Sequence, residues 1–315
     1  MSDRLRVGFV GGMGRSGSTL LELCLGSLPG VCAVGELVHL WERGVRDNQL
    51  CGCGRHFHDC PFWQQVGDRA FGGWDRVDVD DVLRLRASVD RTRFVPRLLV
   101  SKPGSAFVAR VREYDALYRR VYAAALEVSG ADVVIDSGKH VSTASCLRWD
   151  DAIDVRLVHV VRDSRGVAHS WGKLVRRPEI SDAVVYMPRY SVATTSMRWL
   201  TQNAVLEALS AQGTPRQLVR YEDFVRDPAA TVRLVATHLG VTAPIDESAA
   251  PDQVRLLPSH TVAGNPMRFT TGLVTVRADE TWRDQMPSTR RAVVAAMTFP
   301  LRMRYGYVGD GREVG

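Results

Sequence analysis

Four short apolar runs punctuate the chain: Leu5 to Val10, Val133 to Ile135, Val155 to Val161 and Gln217 to Arg220. Runs of this length, with β-branched residues and little polar alternation, read as strands buried on both faces. Between them the apolar residues recur at helical spacing. Leu20, Leu21, Leu25 and Leu28 predict a helix over Ser18 to Leu28, ended by Pro29-Gly30. Further helices are expected at Tyr114 to Ser129, Arg165 to Lys173, Ala229 to Leu239 (with Gly240 beyond its end) and Ser288 to Met297. Val184 to Ala211 carries a long helical pattern with Pro188 as a break. Residues 44–110 mix glycines, aromatics and charges, and read as an inserted lobe with short helices. With the helix after it, the lobe spans about 44–130. Ala249 to Arg277, rich in Pro, Gly, Ser and Thr, reads as a long loop.

Strands alternating with helices predict an α/β fold: a central parallel sheet flanked by helices, with the lobe inserted. In such sheets ligands bind beyond the carboxyl ends of the strands. Three of the four runs lead there into unusual polar sequences: Gly14-Arg15-Ser16-Gly17-Ser18-Thr19, Asp136-Ser137-Gly138-Lys139 and Arg162-Asp163-Ser164-Arg165.

Composition narrows the class. The 315 residues are 45% hydrophobic and 24% charged, a globular balance. The net charge of +6 suits an anionic ligand, but the chain lacks the Lys/Arg runs that nucleic-acid binding calls for. No apolar stretch is long enough for a membrane span or a signal-peptide core, so a cytoplasmic protein of one domain, residues 1–315, is the expectation.

Gly12 to Thr19 matches the spacing of a nucleotide phosphate loop, except that Ser18 stands where the lysine belongs. The glycines let successive N–H groups turn inward, and a helix N-terminus adds positive potential. Without the lysine a triphosphate loses its main cationic contact. Arg15 within the loop suits a shorter anion. Arg162 and Ser170, eight residues apart across two helical turns, can face a second anion. A phosphotransferase or ATPase, and a non-catalytic nucleotide-binding protein, are the competing readings.

Gly14-Arg15-Ser16-Gly17-Ser18-Thr19-Leu20-Leu21 resembles the 5'-phosphosulfate loop of sulfotransferases that use 3'-phosphoadenosine-5'-phosphosulfate (PAPS). Val160 to Trp171 resembles their 3'-phosphate motif, in which the Arg and the Ser, here Arg162 and Ser170, bind that phosphate. Further matches lie at Gly35-Glu36, Asp136 to Lys139, Arg220 to Phe224 and Gly264 to Phe269, in the family's order. The pattern is nearer bacterial and tyrosylprotein-type members than the cytosolic ones. The resemblance implies a P-loop-like three-layer fold, PAPS as donor and PAP (3',5'-adenosine bisphosphate) as product. It implies that Gly14 to Thr19, Arg162, Ser170, Tyr221 and Arg268 hold the donor. The acceptor is a hydroxyl on a small molecule: a sugar, a phenol, a lipid alcohol or a secondary metabolite.

Sulfuryl transfer needs a base for the acceptor hydroxyl and cations for the charge on the departing oxygen. It requires no metal. Glu36, where tyrosylprotein-type members carry their catalytic glutamate, is the first choice of base, and His140 the second. Lys139 and Arg15 supply the cations, with Lys102 a weaker candidate. His159, in an apolar strand, and His169, on a helix, read as packing residues. Cys51, Cys53 and Cys60 share ten residues with His56 and His58. They fit a structural zinc site, a disulfide or a packed turn, and the spacing does not choose among them.

Overall fold

The computed structural model describes residues 4–100, 104–176, 186–242 and 250–308. Lys102 and the start of the Val184 to Ala211 pattern lie outside them.

Five parallel strands form the central sheet in the order β2-β3-β1-β4-β5: β1 (Leu5–Gly11), β2 (Val31–Gly35), β3 (Val133–Lys139), β4 (Ile153–Val161) and β5 (Arg216–Arg220). The four expected strands are present. The fifth, β2, was not expected; its residues Val31–Gly35 follow the first helix after the Pro29-Gly30 turn. Side chains alternate between two cores, as the period of two in a strand requires. Val7, Phe9, Val134, Val155 and Leu157 face one. Val10, Val133, Ile135, Val158 and Val160 face the other.

The second core is closed by α1 (Ser18–Gly26) and by helices late in the chain. The first lies under the lobe, which is more helical than its mixed composition suggests. The lobe carries α2 (Pro61–Phe71), α3 (Val79–Val89), α4 (Val95–Leu98) and the 25-residue α5 (Ser105–Ser129). The pattern from Tyr114 marked only the second half of α5. Its first turns bury only Phe107 and Val111, and alanines, arginines and a glutamate occupy most of the exposed positions around them.

The remainder follows as α6 (Val141–Leu147), α7 (Ser164–Gly172), α8 (Val192–Ala211), α9 (Tyr221–Arg226), α10 (Pro228–Leu239), α11 (Trp282–Gln285), α12 (Ser288–Met297) and α13 (Phe299–Arg304). The long late loop contains an antiparallel pair, β6 (Gln253–Leu256) with β7 (Gly272–Thr275). Strands of four residues, half exposed, leave no periodic signal. No helix among the described residues is long and apolar enough to cross a membrane.

Candidate active site

All five sheet strands deliver a polar residue to one place beyond their carboxyl ends. A cleft of about 610 Å³ opens there, reached by Arg15 after β1, Glu36 after β2, Lys139 at the end of β3, Arg162 after β4 and Tyr221 after β5. Strand order explains the convergence: β1 is central, and the chain crosses over it between β3 and β4.

The loop from Gly12 to Gly17 owes its shape to close backbone approach. A Cβ on Gly12 would lie 2.1 Å from the Val160 carbonyl oxygen, and Gly12 has φ 129°. Gly17 caps α1 in the left-handed region (φ 87°) with no side-chain cap and no acidic residue in the first turn. The amides there are left for an outside anion. Trp171 of α7 braces the loop from above, donating from Nε1 to the Gly14 carbonyl at 2.9 Å. Ser16 is turned inward, its hydroxyl donating to the Met13 carbonyl at 2.7 Å.

Arg15 adopts φ 75°, and its guanidinium lies over Trp171 and against the Met187 sulfur at 3.0 Å. Its Nε is buried without a hydrogen-bond partner among the described residues. Lys139 also has positive φ, at 58°. Apart from Asn48 these are the non-glycine residues in that region among those described. Such backbone strain collects at functional sites. At β3 the strain is held by Asp136, whose Oδ1 accepts from the Gly138 amide at 2.7 Å and whose Oδ2 accepts from Tyr122 at 2.6 Å.

Lys139 Nζ donates to Glu36 Oε1 at 2.5 Å, and His39 Nε2 lies 3.6 Å from the other oxygen. Burial alone would raise the Glu36 carboxyl. Lys139, with Arg43 beyond it, outweighs burial and holds the group down at about 2. His39 is pushed down to about 3, by burial and then by Arg43, so it stays neutral. His140 caps α6 at the cleft wall, edge-on to His39 at 5.8 Å. Desolvation, with Arg86 and Lys139 nearby, lowers its pKa as well.

Behind this pair is a group the sequence reading missed. Glu22, buried on α1, accepts from the Gly35 amide at 2.8 Å and from the Ser137 hydroxyl at 2.6 Å. It therefore ties the ends of β2 and β3 one residue before Glu36 and two before Lys139. Burial raises it to about 7 against the pull of Ser137 and Lys139. A lone carboxylate in the apolar helix sequence Leu20-Leu21-Glu22-Leu23 was the available signal.

At the other end of the cleft, Arg162 donates to the Arg15 carbonyl at 3.1 Å and lies over the Tyr221 ring at 4.3 Å. It also reaches Asp279, through the carbonyl oxygen and through Oδ2 at 3.5 Å. Ser170 of α7 also lines the cleft. His159 bonds Asn203 at 2.7 Å inside the core, as a packing residue should.

Arg268 departs from expectation. It is buried away from the cleft and donates to the carbonyls of Thr261 and Leu50, both at 2.8 Å. A short 3₁₀ turn, Pro266–Phe269, rotates it inward. The basic side chain that the late segment brings to the cleft is Arg277, after β7. Arg43, Arg198 and Gln202 join it on the walls. Arg198 and Gln202 are four residues apart on α8, a spacing legible in the sequence only once the buried face of α8 is known.

No family model matches the chain, and no curated protein does. Among solved structures, the sulfotransferase domain of the Synechococcus PCC 7002 olefin synthase aligns with a TM-score of 0.51 at 20% identity, covering 96% of each chain. The chain shares that domain's fold. The sulfotransferase domain of the curacin biosynthetic pathway aligns at 0.46 and 15% identity, covering 93% of this chain and 96% of its own. The sulfotransferase of Alicyclobacillus acidocaldarius aligns at 0.41 and 15%, covering 95% of each. The fold assignment rests on the first of these.

Proposed function

We propose that the protein is a sulfotransferase that moves a sulfuryl group from PAPS to a hydroxyl of a small-molecule acceptor. The observation that carries this reading is the Glu36–Lys139 ion pair, set in a cleft whose glycine-rich loop has no lysine and which Arg162 and Ser170 also line. Shared fold with a sulfotransferase domain supports it.

The residues present fit the donor. The uncapped start of α1, the loop from Gly14 to Thr19 and the unsatisfied Arg15 Nε form a cradle for a 5'-phosphosulfate. Arg162, Ser170 and Tyr221 offer a second site for a 3'-phosphate, with Arg277 in the place first expected of Arg268. When bound, PAPS supplies an electrophilic sulfur and a stable bisphosphate leaving group. Glu36 takes the acceptor proton, and Lys139 and Arg15 offset charge on the departing oxygen. The pairing has a use in the chemistry. As Lys139 turns its charge toward that oxygen, the Glu36 carboxylate loses its main neutraliser and becomes the stronger base. His140 stands in the same wall as the alternative base.

Thermal unfolding with PAP, with ATP plus magnesium, and without ligand tests the reading. At a hundred times its Kd a ligand adds about 2.7 kcal/mol, a visible shift. Stabilisation by PAP and not by ATP is expected, and Arg15→Ala or Arg162→Ala should each remove most of it. Stabilisation by magnesium-ATP alone would assign the cleft to phosphoryl transfer.

A further inference from the structure

The cysteine cluster acquires a fourth donor from a distant part of the chain. Cys51, Cys53 and Cys60, in the lobe, meet His260, from the late segment, and the four ligand atoms lie within 4.8 Å of one another. Cys53 Sγ is 3.7 Å from Cys60 Sγ, and His260 Nδ1 is 3.3 Å from Cys60 Sγ and 3.9 Å from Cys51 Sγ. A tetrahedral zinc with Zn–S of about 2.3 Å and Zn–N of about 2.0–2.1 Å has ligand edges of about 3.5–3.8 Å. We propose that Cys51, Cys53, Cys60 and His260 bind a structural zinc ion.

The surroundings are built for such a site. Cys51 to Arg55 form a tight knuckle, closed by the Cys51 amide on the Arg55 carbonyl at 2.8 Å and by the Gly54 amide on the Cys51 carbonyl at 2.9 Å. The His260 ring is stacked on Phe62 at 4.9 Å, and its carbonyl accepts from Trp63 Nε1 at 2.8 Å, which fixes the imidazole toward the sulfurs. The two histidines inside the cysteine run are turned elsewhere, His56 to the Asn48 carbonyl and His58 to that of Val45. Three thiolates and an imidazole fill a tetrahedron and leave no open position, which marks a structural rather than a catalytic ion. Soft sulfur donors in this geometry favour zinc over hard cations. Binding would release the protons of the three thiols.

The ion would act as a clamp. Directly after His260, the Val262 amide donates to the Val34 carbonyl of β2 at 2.9 Å, and the Gly52 amide donates to the Thr261 carbonyl at the same distance. The segment then runs past Glu36, with Gly264 against its carboxyl, to the cleft wall at Asn265 and Arg277. The zinc thus ties the lobe to the strand that carries Glu36 and to the late segment.

Metal analysis of protein expressed in zinc-supplemented medium without a metal-affinity tag tests the proposal. One zinc per chain is expected, and cobalt replacement should give the visible d–d bands of a tetrahedral thiolate complex. Cys53→Ser and His260→Ala should lose the ion, His260→Cys should keep it as a four-cysteine site, and Cys24→Ala should not affect it. Chelation of the wild type should lower its unfolding midpoint. A wild-type chain that holds no zinc and takes up none on titration overturns the proposal, as does zinc retained equally in Cys53→Ser and His260→Ala. So does a disulfide within the cluster in protein prepared under reducing conditions. Metal content is indifferent to what the cleft binds, so this test and that of the sulfotransferase reading fail separately.

Discussion

Glu22 and Glu36 are both desolvated, yet burial ends in opposite charge states. Glu22 meets neutral donors, the Gly35 amide and the Ser137 hydroxyl, and is raised to about 7. Glu36 meets the Lys139 cation, with Arg43 beyond, and is held at about 2. The folded-state value of Glu22 lies above its unfolded value, near 4.3. The folded chain therefore keeps a proton the unfolded chain loses, and stability falls as pH rises from about 4.3 to about 7. On this account the wild type loses on the order of 3 kcal/mol relative to Glu22→Gln over that window. Denaturant unfolding of both proteins at pH 5 and pH 8 measures it, and parallel pH dependence would assign the burden elsewhere. For Glu36 the sign is reversed: its contribution is present above the unfolded value and is lost only as pH falls toward 2. Glu36→Gln should leave PAP affinity nearly intact and reduce transfer on the order of 10²–10⁴-fold. Turnover retained in that variant would make His140 the base.

At the scale of elements, the residues of the cleft are concentrated where strands end. The β1-to-α1 turn depends on a backbone conformation that a side chain at residue 12 cannot enter, since its Cβ would press on β4 at the Val160 carbonyl. Gly12→Ala should cost more than about 2 kcal/mol, lower the midpoint by roughly 4 °C or more and remove the shift with PAP. An unchanged midpoint would show that the turn yields more easily than its contacts imply. The strand-end motifs were readable in sequence because each pairs a glycine or small polar residue with a cation directly after an apolar run. Glu36 was placed by its resemblance and by the Pro29-Gly30 turn that brings the chain back toward the sheet, and not through β2, which was not expected. Arg268 misled for another reason: within a 3₁₀ turn a one-residue change of phase rotates a side chain by about 120°, and no spacing rule fixes that phase.

Across the whole molecule the cleft joins segments far apart in the chain. Hydrogen exchange with and without PAP should show protection together at residues 12–19, 138–140, 162–171 and 264–277, with α2 and α3 unchanged. Protection confined to one segment would mean a smaller site than the five strand ends imply.

The sequence by itself determined the α/β layering, because buried strands and amphipathic helices each leave a local period. It also determined the glycine-rich β1-to-α1 turn and the closeness of Arg162 to the helix that carries Ser170, because their parts are near one another in the chain. Tertiary structure alone decided that Lys139 pairs with Glu36, that Glu22 sits behind them, that Arg277 and not Arg268 reaches the cleft, and that His260 joins the cysteines. Each of these depends on long-range packing between segments, and a local pattern carries no record of which distant residue it will meet.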